Sequence, residues 1–271
     1  MFWTRLLSSV ILTIVTVGLM ITGGLPLLLA LAVISIIGMN ELYKVLGISR
    51  TGLAIVAYIF AAIYYAVLYF AASLTLIVPI LILFVLALLA LYVLTFPKYK
   101  ADQAAKAAFG FLYVPFTLSF LFLTRLTTGG IYLVWLAFSA WACDVCAYCT
   151  GLLIGKHKMT PVLSPKKTIE GAIGGIVGTA GLGALYGLIF SEQLSGVFGS
   201  PVLACLIICA VCAPISMIGD LAASAIKRDY DIKDYGKLIP GHGGILDRFD
   251  SVIFTAPMVF IMLMLISALG I

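Results

Sequence analysis

Nine apolar runs of roughly 20 residues, separated by short polar breaks, leave this chain almost no way to fold in water. They cover residues 6–22, 25–46, 53–72, 74–96, 105–125, 130–154, 169–190, 201–227 and 251–270. Each is long enough to cross a ~30 Å hydrocarbon layer as a helix. With 63% hydrophobic and only 10% charged residues, the chain cannot supply the polar surface that a soluble protein needs. The expected fold is therefore all-α: a polytopic integral membrane protein of about nine transmembrane helices. The first run lacks a small-x-small cleavage pattern and eight more runs follow it, so it reads as a retained helix and not a signal peptide.

Charge sets the expected orientation. Breaks between nine spans alternate sides, and of the 16 Lys and Arg residues all except Arg125 fall on the side of the N-terminus. Such asymmetry places the N-terminus in the cytoplasm and the C-terminus outside. The 6 cysteines (143, 146, 149, 205, 209 and 212) all lie inside predicted spans. In that setting they read as small, soft packing residues, not as zinc ligands or disulfides.

The chain changes character along its length. Residues 1–100 form an N-terminal helical region for packing, lipid contact or assembly. Its only acid, Glu41, sits with Lys44 at the end of the second run and suggests no catalysis. Residues 101–271 carry acids within spans, and longer cytoplasmic loops at 155–168 and 227–250. Gly171, Gly175, Gly178, Gly183 and Gly187 form a ladder that allows helix backbones to approach closely. A catalytically empty first half and this ladder together favour a homodimer. No inverted repeat relates the halves, which speaks against a secondary transporter.

Two acids stand out inside spans, where an ionisable group needs a partner. Asp144 lies about 15 Å from the cytoplasmic end of its helix at 1.5 Å per residue. Ser216, Asp220 and Ser224 recur every four residues, and Lys227 and Arg228 continue that polar stripe. Pro214 leaves a carbonyl unpaired above it and permits a kink. Asp144 and Asp220 enter from one side to similar depths, and two facing carboxylates repel unless a cation lies between them. Oxygen-only ligands favour a hard ion such as Mg²⁺, which also favours phosphates.

Cationic equipment accompanies the acids. In SPKKTIEG (164–171), Ser164-Pro165 starts a turn, Lys166 and Lys167 follow, and Thr168 N-caps a helix with Glu170 in its first turn. A helix N-terminus beside lysines is an anion site. In PGHGGILDRFD (240–250), Pro240, Gly241, Gly243 and Gly244 allow a backbone-exposed loop to approach phosphate oxygens. Asp247 and Asp250 share a helix face, Arg248 can fork onto a phosphate, and His242 is either a turn residue or a phosphate donor. Residues 227–250 balance five bases against five acids, unlike a lopsided lipid-surface patch.

Ser224, Lys227, Arg228, Lys233, Asp234, Gly236, Pro240, His242, Gly243, Gly244, Asp247, Arg248 and Asp250 together resemble the signature of the phosphatidate cytidylyltransferase family, the CDP-diacylglycerol synthases. SPKKTIEG and the Asp144-x-x-Ala147-Tyr148 element resemble two further blocks of that family, so the resemblance covers about residues 135–250. Two positions depart from the pattern: Ile169 stands where the family has Trp, and Cys146 where it has Gly. The resemblance implies transfer of the cytidylyl group of CTP to phosphatidate, giving CDP-diacylglycerol and pyrophosphate. It further implies Asp144, Asp220 and Asp247, supported by Asp250, around one or two Mg²⁺ ions, with a monovalent cation as a further partner. Asp220, Asp247, Lys167 and Arg248 become the catalytic set. Lys166, Lys167, Lys227, Arg228, Ser224, His242, Gly243, Gly244 and Arg248 become the substrate contacts. The implied setting is the cytoplasmic (inner) membrane with the site facing the cytoplasm, and no nucleic-acid partner is implied. The lipid phosphate is already mostly ionised at pH 7, so no strong general base is needed.

Two other readings share parts of this pattern. A CTP-using transferase acting on a polyprenol or ether lipid would need the same phosphate equipment. A cation transporter would instead need its acids to continue outward, and there only Glu192 follows.

Overall fold

The computed structural model describes residues 2–71, 74–241 and 243–269, with backbone alone for residues 2–9 and 74. Nearly all of it is helix. In chain order the helices are α1 (Phe2–Thr22), α2 (Gly24–Val45), α3 (Gly52–Ala71), α4 (Ile77–Leu94), α5 (Ala101–Phe111), α6 (Thr117–Leu126), α7 (Gly130–Leu133), α8 (Ser139–Ile154), α9 (Ile169–Ile189), α10 (Ser191–Leu194), α11 (Pro201–Asp229) and α12 (Leu246–Leu269). Eight segments are long and apolar enough to cross a membrane, two of them composite: Ala101–Leu126 and Gly130–Ile154. The apolar part of α1, Val10–Thr22, is a shorter ninth. All nine fall on the runs expected from sequence, and the chain is an all-α integral membrane protein.

One departure is local. Lys158–Thr160 (β1) and Ser164–Thr168 (β2) pair as an antiparallel hairpin. Ser164-Pro165 thus lies in a strand, and the turn falls earlier, at residues 161–163.

The chain forms two compact units. The first comprises residues 1–119 and 234–248, so the loop before α12 belongs with the N-terminal helices. Its interior is aromatic, with Tyr43, Tyr64, Phe84 and Phe111 fully buried. Each buried tyrosine hydroxyl needs a partner in an apolar interior. Tyr43 Oη donates to Ala107 O at 2.6 Å, Tyr64 Oη shares a hydrogen with Ser119 Oγ at 2.8 Å, and Tyr65 Oη donates to Pro115 O at 3.1 Å. Pro115 cannot donate to the helical ladder, and a π-turn at Leu112–Phe116 carries the span past it. Along α4, Val78, Ile82, Leu83, Val85, Leu86 and Leu89 are exposed, as a lipid-facing helix requires.

The second unit comprises residues 120–233 and 249–271. Its centre is α9, packed against both α8 and α11. The glycine ladder explains how. A Cβ at Gly175 would meet Met217 Cε at 2.8 Å and Ala147 Cβ at 3.1 Å, and one at Gly183 would lie 2.6 Å from the carbonyl oxygen of Cys205. Backbones this close leave room for hydrogen only. Cys143, Cys205, Cys209 and Cys212 are buried as free thiols, in the packing role expected of them.

These contacts predict opposite outcomes for two substitutions on one helix. Gly183→Ala should destabilise the protein by about 1–3 kcal/mol through overpacking against backbone. Gly181 has nothing within 4 Å of its Cβ position, so Gly181→Ala should be neutral or gain up to about 1 kcal/mol of helix propensity. Thermal midpoints in detergent check this; equal midpoints for the two variants would contradict the packing account.

Candidate functional site

The second unit holds a cavity of about 370 Å³, bordered by Asp144 and Tyr148 of α8, Lys166 and Lys167 of β2, and Met217 of α11. Leu152, Met159 and Ala172 add apolar wall, with Ser164 and Thr168 beside the lysines. Charged groups converging on one part of an apolar cavity suit an amphiphile with an anionic head.

The principal polar contact is an ion pair. Lys167 Nζ lies 2.5 Å from Asp220 Oδ2, and both side chains are about a quarter exposed (24% and 29%). Asp220 is within electrostatic range of Asp144 and of Asp250. Lys167 also acts on Asp144, and Lys227 on Asp250. Three carboxylates therefore share two lysines, and acid is in excess. Of the stripe on α11, Ser216 turns back to donate to Ala213 O at 2.8 Å, Ser224 is half-buried and Arg228 is exposed.

The donor set is carboxylate oxygen, which suits Mg²⁺. Among the described residues, no three His, Cys, Asp or Glu side chains close around a common point. Mg²⁺ does not need such a cage, because one or two carboxylates with substrate phosphates and water suffice. The ammonium of Lys167 lies where a cation would meet Asp220.

The hairpin that carries the two lysines is tied to α9. Thr168 Oγ1 accepts from Gly171 N at 3.1 Å, the N-cap expected from sequence. Glu170 reaches back to accept from Lys156 N at 3.0 Å and meets His157 Nδ1 at 2.6 Å. His157 was not singled out by sequence; its signal is a histidine thirteen residues before an acid, across a hairpin that only the structure reveals.

In the first unit, the loop before α12 is organised by two carboxylates. Asp247, 7% exposed, accepts through Oδ2 from Tyr235 N at 2.8 Å and Gly244 N at 3.0 Å. Glu41 accepts from Ile245 N at 3.1 Å and Leu246 N at 2.9 Å. The amide of Gly244 donates to Asp247, a contact that the sequence does not signal. Glu41 is not an idle end-of-span residue, although only its isolation as the first acid in the chain hinted at this. Gly241 and Gly243 take positive φ (79° and 85°), and Ile239 N donates to Gly243 O at 2.9 Å to close the turn. His242, expected at its tip, lies outside the described residues. Arg248 Nε is buried and has no hydrogen-bond partner among the described residues.

The fold and cavity define a polytopic membrane protein with an acid-rich, lysine-lined site. The cytidylyltransferase family model matches residues 3–266. The phosphatidate cytidylyltransferase of Staphylococcus haemolyticus is 31% identical over 264 residues, spanning 96% of this chain and 98% of the relative. That of Bacillus subtilis is 31% identical over 271 residues, spanning 97% and 98%. That of Staphylococcus aureus is 30% identical over 265 residues, spanning 96% and 98%. This chain belongs to the cytidylyltransferase family.

The Glu170 clamp gives a direct prediction. Glu170→Ala removes the acceptor for the amides of Lys156 and His157, so their hydrogen exchange should accelerate about tenfold or more as the hairpin opens locally. Exchange measured by mass spectrometry checks it; unchanged rates would mean the hairpin is held by other contacts.

Proposed function

We propose that this chain transfers the cytidylyl group of CTP to phosphatidate, forming CDP-diacylglycerol and releasing pyrophosphate. The observation that carries the reading is the Lys167–Asp220 pair with Asp144 beside it, at an apolar cavity in a chain whose relatives are named for this reaction. Acyl chains stay against hydrocarbon while the anionic head meets lysines.

In the reaction, an oxygen of the phosphatidate phosphomonoester attacks the α-phosphorus of CTP. The bond from that phosphorus to the bridging oxygen breaks, and pyrophosphate leaves with the electron pair. The attacking oxygen carries no proton to remove, so the obstacle is repulsion between two anions. Lys166 and Lys167 neutralise the triphosphate and then the departing pyrophosphate. Lys227, with Arg228 and Ser224, holds the lipid phosphate, and Arg248 offers a guanidinium to phosphate oxygens. Asp144, Asp220 and Asp250 are the residues that would hold Mg²⁺, with a second ion and a monovalent cation as further candidates. Asp247 stands with them by sequence, and its carboxylate also fixes its own loop. When bound, the metal would screen phosphate charge and align the phosphates.

Binding of CTP would turn Lys167 from Asp220 toward phosphate and release that carboxylate. The charge asymmetry of the breaks supports a site on the cytoplasmic side of the cytoplasmic membrane. Assembly as a homodimer is part of the same proposal.

Purified protein with labelled CTP and a panel of lipid phosphates, with and without Mg²⁺, tests the reading. Asp220→Asn should lower kcat about 10²–10³-fold, the scale of losing one essential electrostatic contact, while the protein still inserts and purifies. Lys166→Ala should chiefly raise KM for CTP. Full activity of Asp220→Asn, or polyprenol phosphate preferred over phosphatidate, would overturn it.

A further inference from the structure

Glu41 is the only acid before Asp102 in the chain, and it is 6% exposed. It sits near the end of α2, a helix with no other acidic residue. Yet it spends both carboxylate oxygens on another part of the chain: Oε1 on the amide of Ile245 and Oε2 on the amide of Leu246. Asp247 takes the amide of Gly244. Three successive N–H groups at the start of α12 thus point at carboxylates supplied by the protein itself.

An open helix N-terminus attracts phosphate, because its amides lack partners and its dipole favours negative charge. Here that place is taken by Glu41. The space around it is also shaped for a carboxylate. A Cβ at Gly244 would lie 2.5 Å from both Oε atoms, and one at Gly236 would collide with Oε1. Glycine at both positions lets one acidic side chain reach the helix end. Both glycines belong to the loop that ends in Asp247 and Arg248.

We infer that Glu41 is a positioning residue for the transfer reaction. It acts as an internal anion that sets the first turn of α12, holds the loop 234–248 on its two glycines, and so fixes where Asp247 and Arg248 stand. It also closes the α12 terminus to substrate phosphates, which are left to the side-chain cations. The activity readout rests on the cytidylyl-transfer reading above; the geometry does not.

The test compares wild type, Glu41→Gln and Glu41→Ala, each purified in detergent. Glu41→Ala removes the equivalent of acetate, so sodium acetate should refill the hole. Glu41→Ala should lower kcat at least about 30-fold, as expected when reacting groups shift by about 1 Å. KM for CTP should stay within about threefold, since Lys166 and Lys167 are untouched. Acetate should restore about a tenth or more of the lost kcat, and chloride at equal ionic strength should not. A loss of fold stability alone would give neither that split nor that selectivity. Glu41→Gln, which keeps one acceptor oxygen, should fall between, and serves if the alanine variant does not fold. Wild-type kcat in either folded variant, or equal effects of acetate and chloride, would overturn the inference.

Hydrogen exchange separates this failure from failure of the functional reading. In the variants the amides of Ile245 and Leu246 should exchange about tenfold faster or more. If wild type does not turn over CTP, the functional reading fails and exchange alone decides the positioning role. Unchanged exchange would remove it.

Discussion

A carboxylate beside hydrocarbon has little water to turn to and needs a partner, and within each unit the partner taken decides what the acid can do. The solutions differ in kind. Asp220 takes an ammonium, whereas Asp247 and Glu41 take backbone amides. Glu170 takes a histidine ring and two amides. An ammonium on a long, flexible stem can be exchanged for another cation; an amide in a helix turn cannot. Asp220 is therefore the acid suited to chemistry, and Glu41 and Glu170 are suited to holding loops in place.

Close packing makes the first solution possible. Asp144, Lys167 and Asp220 come from α8, β2 and α11, which are separated widely in sequence. They meet because α9 between them is nearly bare of side chains on its buried face, with Gly171, Gly175, Thr179, Gly183 and Gly187 along it. The same glycines that let helices approach bring the hairpin lysines down onto the acids. Packing and electrostatics are here one design: widen α9 and Lys167 loses its reach.

Much of this was legible in the sequence. Hydrophobic run length located each span to within about five residues at its ends, because crossing hydrocarbon demands a fixed length of helix. Spacing alone placed Ser216, Asp220 and Ser224 on one face, and Thr168 as a cap. What escaped had a common cause. The strand at Ser164–Thr168 depends on pairing with Lys158–Thr160, and Ser-Pro signals a turn only when nothing pairs with it. Glu41 lies more than two hundred residues from the amides it accepts, and no local pattern encodes such a partnership. The glycines of the loop were read for their openness to phosphate, a role glycine often has. At Gly236 and Gly244 the space beside the backbone is occupied by the Glu41 carboxylate.

The role proposed for these carboxylates and lysines is transfer of a nucleotidyl group to a lipid phosphate. The most direct measurement follows the label from two forms of CTP, marked at the α- or at the γ-phosphorus, in phosphatidate-containing vesicles with Mg²⁺. Cytidylyl transfer should put α-label in the lipid product and γ-label in pyrophosphate, in equal amounts. Recovery of γ-label in lipid, or cation flux through the protein without any CTP turnover, would contradict it.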